Sequence, residues 1–326
     1  MSVEGLANAI VRFPEQFTHP LKIENRGALP QKEGVVACGM GGSSLVALLM
    51  RDLQPRRSIV VHRDYGLPDS PETLQKSLVI VSSLSGNTEE ALSSFQETRE
   101  RNLHVAVISG GGRLLQMAQE DAVPYIKLPD LGVQTNHALG LYIIAFLQLL
   151  DEKTLLEEAR KLATTLVPGE LAETGRRLAE KLVGKTLVHI YASWRDQALA
   201  YNWKIRIDES AKTLAVCNFF PEVNHGEIEA ICATAVRGCS PDSLFLFLQD
   251  PYEDYRIKRR MAITAQLYQE KGLAVETLRS HGATKLERFF ASTLLADWIT
   301  YYMAEHYDHD PEFAAFVEEF KQRMGS

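Results

Sequence analysis

Leu78-Val79-Ile80-Val81-Ser82, followed at once by Ser83-Leu84-Ser85-Gly86-Asn87-Thr88 and then Glu89-Glu90-Ala91-Leu92, is the stretch that decides the fold. A short, nearly continuous apolar run reads as a strand buried on both faces, the condition of a parallel sheet. Ser, Gly, Asn and Thr are turn formers, and Glu-Glu-Ala-Leu has the composition of a helix start. The unit is strand, loop, helix. Working outward, the same grammar recurs. Gly34 to Cys38 is a strand that leads through Gly39-Met40-Gly41-Gly42-Ser43-Ser44 into the helical run 45–50. Further strands read at 58–62, at 104–109 ahead of a Gly-Gly-Gly turn (110–112), and at 123–128, with a helix over 4–17 opening the chain. A long helix is expected over 139–166, charged between Asp151 and Lys161 and ending near Pro168-Gly169. Beyond it the alternation restarts, with strands at 186–191, 243–248 and 273–278 and helices at 197–208, 286–302 and 311–324. The expected fold class is therefore α/β: two tandem doubly wound parallel-sheet domains, flavodoxin-like sandwiches covering 1–150 and 151–326, with C-terminal helices. The matching rhythm of the two halves suggests an internal duplication.

Composition narrows the function. A chain of 326 residues suits two domains of ordinary size. Its formal net charge of −7 argues against nucleic acid as a partner, because that needs a basic footprint. No apolar stretch reaches the roughly 20 residues of a membrane span, and Met1-Ser2-Val3-Glu4-Gly5 lacks the basic-then-apolar pattern of a secretory signal. A cytoplasmic protein is expected. Cys217, His225, Cys232 and Cys239 cluster in sequence, but their spacing matches no usual zinc pattern. They read as reduced core thiols and no metal is expected.

Two loops could hold an anion. Ser83, Ser85 and Thr88 place three hydroxyls at a strand's carboxyl end, where a helix begins and where doubly wound sheets bind ligands. The same residues would serve as an ordinary helix N-cap, and sequence alone leaves both readings open. Gly39 to Ser44 resembles a dinucleotide fingerprint, with Asp64 placed as a ribose-binding acid would be, yet it serves equally as a backbone nest for a sugar or phosphate. It lacks the Gly-Lys-Ser/Thr ending of a Walker A loop.

With both loops in place the chain resembles the sugar isomerase (SIS) domain proteins, and most of all the bifunctional phosphoglucose/phosphomannose isomerase family. Asp208-Glu209-Ser210-Ala211-Lys212, then Pro221-Glu222-Val223-Asn224-His225-Gly226-Glu227, and the end Asp297 to Ala304 followed by Asp310-Pro311, carry the same resemblance over almost the whole chain. The resemblance implies a cofactor-free aldose–ketose isomerase of hexose 6-phosphates in glycolysis and gluconeogenesis, working as a homodimer with a shared site. It implies that Ser83, Ser85 and Thr88 hold the phosphate, with Gly42 and Ser43 beside the sugar. Glu209 would move the proton between C1 and C2, and His225, from the neighbouring subunit, would open the ring. A carboxylate and a histidine suit those tasks. Two positions depart from the pattern: Asn136 stands where many members carry an arginine, and Glu305 where many carry a lysine. These departures motivate an alternative, a sugar-phosphate-binding sensor without catalysis; within the isomerase reading, His137 and Lys212 are the candidate replacement cations.

Overall fold

The computed structural model describes residues 3–133, 135–237, 242–311 and 313–324. The N-terminal helix α1 (Val3–Arg12) groups with residues 166–314, whereas residues 12–165 form the other compact unit together with the C-terminal helix. The division thus falls near 165, not 150. The reason is local. The helix expected over 139–166 is broken into α6 (Leu139–Leu149) and α7 (Lys153–Thr165), with Asp151 in the left-handed region at φ 54° between them. That break lets α7 turn back onto α6 and onto the 3-10 turn Phe13–Thr18 of its own unit.

Unit one, residues 12–165, is a six-stranded sheet. In chain order it runs β1 (Ile23–Glu24), β2 (Gly34–Cys38), α2 (Gly41–Leu53), β3 (Ile59–His62), α3 (Pro71–Lys76), β4 (Ser77–Ser83), α4 (Glu89–Glu100), β5 (Val105–Ser109), α5 (Gly112–Glu120) and β6 (Tyr125–Lys127), then α6 and α7. Every residue of β2, β4 and β5 is buried, as their unbroken apolar runs require of strands covered on both faces. The spatial order is β1-β6-β5-β4-β2-β3, parallel throughout except for β1, a two-residue antiparallel edge. Leaving β1 aside, the strands follow the flavodoxin-like order 2-1-3-4-5, which reverses between β2 and β4.

In the second unit α8 (Pro168–Leu182) leads to β7 (Leu187–Ser193), α9 (Gln197–Glu209), β8 (Ala215–Phe220), α10 (Glu227–Val236), β9 (Ser243–Gln249), α11 (Tyr255–Glu270), β10 (Ala274–Arg279) and α12 (Lys285–Tyr307). The C-terminal helix α13 (Ala315–Met324) belongs to the first unit. The second sheet is wholly parallel in the order β10-β9-β7-β8, which repeats β5-β4-β2-β3 strand for strand. The duplication suggested by rhythm is therefore present in topology. Among the described residues no helix is long and apolar enough to cross a membrane.

Strand pleating sorts the side chains of this sheet. Tyr191, Phe220, Phe245 and Phe247 point to the face covered by α10 and α11, where they pack with Met261 and Tyr268. The opposite face is covered by α9, which α12 clasps through a buried polar seam. Trp203 donates its indole N–H to Ser292 Oγ (3.0 Å), Asn202 Nδ2 donates to Thr293 Oγ1 (2.6 Å), and Arg206 Nε donates to Asp297 Oδ1 (2.6 Å). The Arg206 and Asp297 side chains are 0% and 1% exposed. Buried charges such as these hold only as a pair, since removing one strands the other in a low dielectric. Asp297→Ala is expected to lower the unfolding free energy by about 3–5 kcal/mol, whereas Glu15→Ala, which breaks an exposed pair with Arg12, should leave the urea midpoint unchanged. Equal midpoints for the two variants would contradict the burial argument.

Candidate functional site

The reversal of strand order puts a crevice at the carboxyl ends of β2 and β4, and the two loops singled out in the sequence both open there. They are joined across the strand pair, because Ser82 Oγ donates to the Ser43 carbonyl at 3.1 Å.

In the loop after β4 the hydroxyls converge. Ser83 Oγ lies 2.8 Å from Thr88 Oγ1 and 3.4 Å from Ser85 Oγ, and accepts from the Gly86 amide at 3.1 Å. Ser83 is buried at the base, Thr88 is half-buried and Ser85 is exposed at the rim. Thr88 is the N-cap residue of α4 by position, yet its side chain caps no amide of that helix. The hydroxyls bond one another and the loop amides of Gly86 and Asn87. Thr88 is therefore not a side-chain cap of α4, whose first-turn amides and positive dipole end face the loop.

The loop is moulded by a second one. Gly86 has φ 72°, and a Cβ there would lie 1.8 Å from the Gly111 carbonyl oxygen. Leu114 N donates to Gly86 O (2.8 Å), Arg113 N to Asn87 Oδ1 (3.0 Å), and Ser109 Oγ to Ser83 O (2.7 Å). Only glycine permits backbones to approach so closely. Beside this contact runs a cleft of about 240 Å³ lined by Leu84, Ser85, Gly110, Gly111, Asp130 and Ala138 among others.

In the first loop the helix α2 starts within the glycine run, at Gly41. Gly42 and Ser43 are buried. A Cβ on Gly42 would meet the Asn136 amide nitrogen at 3.0 Å, so the 3-10 turn Thr135–His137 sits directly on the start of α2. Ser43 Oγ is hydrogen-bonded to the buried Tyr142 hydroxyl at 3.0 Å, and burial drives the Tyr142 pKa upward. Arg63, just past β3, donates from Nε to Ser44 Oγ at 2.8 Å and brings a guanidinium to the α2 N-terminus. Neither Tyr142 nor Arg63 is signalled by any sequence motif. Asn136 is 2% exposed, and Gln16 fastens the segment that follows it by donating to His137 O (2.7 Å) and accepting from Gly140 N (3.0 Å). Asp64 accepts from the next residue's amide, Tyr65 N, at 2.8 Å.

Glu209 and His225 lie in the second unit and are not brought together within it. Glu209 is the exposed last residue of α9, next to Asp208, whose Oδ1 accepts from the first amide of β8, Ala215 N, at 2.8 Å. His225 is exposed in the 3-10 turn Glu222–His225, beyond the far end of β8 and on the α10–α11 side of the sheet. Two neighbours anchor that turn. Asn224 Nδ2 donates to Thr264 Oγ1 of α11 (2.8 Å), and Glu227 accepts from both the Tyr191 hydroxyl and Asn218 Nδ2. Cys217 and Cys232 are half-buried instead of core thiols, Cys38 is buried with its thiol pushed up to about 12 by desolvation, and Cys239 lies outside the described residues. Glu305, exposed, is within 3.4 Å of the Tyr301 hydroxyl that donates to it.

Tandem flavodoxin-like units with a hydroxyl-lined cradle at the first switch point define the sugar isomerase, or SIS, class of α/β proteins. Residues 172–324 match the family model of the bacterial phospho-glucose isomerase C-terminal SIS domain. The chain is 30% identical to the bifunctional phosphoglucose/phosphomannose isomerase of Aquifex aeolicus over 90% of both chains. It is also 30% identical to the protein of that name from Caldicellulosiruptor bescii, over 97% of this chain and 98% of that one. It belongs to the bifunctional phosphoglucose/phosphomannose isomerase family. The fold is shared more widely: the crystal structure of glucosamine-6-phosphate deaminase from Thermotoga maritima superposes with a TM-score of 0.67 at 16% identity, over 95% of each chain.

The cradle depends on the Gly86 contact. Gly86→Ala is expected to cost about 2 kcal/mol or more, from positive φ and the overlap with Gly111, while Gly27→Ala, with nothing within 4 Å, should be close to neutral. Urea unfolding of the two variants side by side checks this, and a Gly86→Ala midpoint matching Gly27→Ala would contradict it.

Proposed function

We propose that the protein is a phosphosugar isomerase that interconverts glucose 6-phosphate or mannose 6-phosphate with fructose 6-phosphate in the cytoplasm, within glycolysis and gluconeogenesis. The observation that carries the reading is the convergence of the Ser83, Ser85 and Thr88 hydroxyls in front of a helix start that none of them caps. Hydrogen bonds to a charged group are worth about 1.5–3 kcal/mol each, so three hydroxyls and the loop amides suffice to fix a phosphate monoester. Proton transfer through an enediol requires no cofactor. His225 shuttles a proton from the anomeric hydroxyl to the ring oxygen as the ring bond breaks and the carbonyl forms. Glu209 removes the proton from C2 of the aldose, the electrons pass to the C1 oxygen in a cis-enediol(ate), and, as the C2 hydroxyl proton passes to the C1 oxygen, the same carboxyl returns its proton to C1 to give the ketose. Gly42 and Ser43 line the sugar side through the α2 backbone, with Tyr142 holding the Ser43 hydroxyl in place.

The positions of the two catalytic candidates support a homodimer with a shared site. Glu209 ends α9 ahead of β8, and His225 follows β8 in a turn whose Val223 packs on the α10–α11 side. A general acid and a base must each reach the substrate within hydrogen-bonding distance, and the placement of these two residues at different ends of β8 favours one from each of two copies. A second copy supplies the missing histidine. The apolar surfaces of α10, which has no buried residue, and of α13, which exposes Phe316, Val317, Phe320 and Met324, suit association.

Purified protein given fructose 6-phosphate should form glucose 6-phosphate and mannose 6-phosphate, and Glu209→Gln should reduce kcat by at least about 100-fold with little change in KM. Binding without turnover in the wild type, or full turnover in Glu209→Gln, would contradict the isomerase reading and favour a sensor. Mixing Glu209→Gln and His225→Asn dimers under subunit exchange should restore about a quarter of wild-type activity, because each hybrid dimer regains one intact site. No recovery on mixing would contradict the shared site.

A further inference from the structure

We propose that Lys212 is a positioning residue that holds a positive charge beside the Glu209 carboxylate and so keeps it in the form that accepts a proton. The proposal rests on the reading of Glu209 as the base. Its geometry is set by the turn that ends α9. Ser210 N and Ala211 N both donate to Arg206 O (2.8 and 3.3 Å), Thr213 N donates to Ile207 O (3.1 Å), and Thr213 Oγ1 donates to Ala211 O (3.2 Å). Ser210, Ala211 and Thr213 are buried, so the backbone on either side of Lys212 is pinned while its own side chain is exposed. Lys212 adopts φ 51°, a left-handed conformation that glycine or asparagine would fill more readily. From there the side chain folds back and Nζ donates to the carbonyl oxygen of Glu209 itself.

Two carboxylates, Glu209 and Asp310, act on this lysine. On α9, Asp208 is paired with Lys204 and receives Ala215 N, and Arg206 is matched inside the unit by Asp297. From the segment after α12, His309 Nε2 lies 2.9 Å from Ser210 O, and Asp310 sits within the electrostatic reach of Lys212. Desolvation lowers the Lys212 pKa, opposed by the Glu209 and Asp310 carboxylates. In the acidic range, where a carboxylate titrates, the amine carries its proton. A cation about 4–6 Å from a carboxylate lowers the carboxylate's pKa by about 1–3 units. Taking the charge away therefore raises the Glu209 pKa, and the acidic limb of the pH–rate profile moves to higher pH.

The test is kcat/KM against pH for wild type, Lys212→Met, Lys212→Arg and Glu209→Gln, with fructose 6-phosphate as substrate. Lys212→Met should move the midpoint of the acidic limb up by about one unit and lower kcat/KM roughly tenfold on that limb, with a smaller loss at pH 8. Lys212→Arg should return the limb towards the wild-type position. A Lys212→Met limb that superimposes on wild type overturns the proposal, as does an equal displacement by Met and Arg, which marks a structural effect without charge. Full turnover in Glu209→Gln is a separate outcome: it removes the base from the mechanism, and Lys212 with it.

Discussion

The approach of two glycine-bearing backbones, Gly86 against Gly111 and Gly112 against Ser85, is the constraint on which the site depends. Cβ atoms at 86 and 112 would stand 1.8 Å and 2.2 Å from opposing carbonyl oxygens. With the glycines in place, the turn after β5 braces the loop after β4 from behind, and the Ser83 hydroxyl at the base of the loop can gather those of Ser85 and Thr88. Strand register supports the same arrangement, since Ser83 and Ser109 pair as the last residues of β4 and β5. A loop clamped this way has its donors positioned before any ligand arrives, which reduces the ordering cost of binding.

The duplicated unit shows what becomes of the same topology without that loop. The counterpart of the β4–α4 connection is the stretch between β9 and α11, and there Asp254 caps the helix, accepting from Arg256 N at 2.8 Å. The Arg256 guanidinium, and then its backbone amide, hold the Asp254 carboxyl down at about 2. Nearby, Asp250 is paired with Arg288 and the buried Asp196 with Lys285, at 3.0 and 3.2 Å. Carboxylates of the chain itself occupy the crevice where the first unit has hydroxyls. One half of the duplication keeps an open cradle, and the other presents its functional candidates on α9 and past β8, away from its own switch point.

Strands β2, β4 and β5 were legible in the sequence because burial on both faces leaves unbroken apolar runs, and the hydroxyl loop was legible because it follows one of them. Strand β8 was not: it is an edge strand with an exposed Val216 and half-buried Cys217, Asn218 and Phe219, so neither a continuous run nor clean alternation marks it. The break at Asp151 was hidden for a similar reason, since both flanking segments keep helical composition. Whether Thr88 caps α4 could not be read from residue types, because a cap and a cradle use the same ones. Tyr142 and Arg63 escaped notice because their partners, Ser43 and Ser44, are 99 and 19 residues away and meet them only in the fold. The roles of Glu209 and His225 came from family resemblance alone. The structure adds that Glu209 ends α9 ahead of β8, whereas His225 follows β8 in a turn whose Val223 packs on the α10–α11 side.

The resemblance implies cations at 136 and 305, where this chain has Asn136 and Glu305. Asn136 is buried under α2 and its backbone abuts Gly42, so its place in the fold is a packing position. Positive charge reaches the two candidate regions instead through Arg63 at the first loop and Lys212 at Glu209. A crystal structure of the protein with fructose 6-phosphate tests the central claim most directly. The account predicts the phosphate seated in the 83–88 loop, with its oxygens about 2.7–3.2 Å from the Ser83, Ser85 and Thr88 hydroxyls and the first amides of α4. A phosphate bound elsewhere, with none of those three hydroxyls in contact with it, would contradict it.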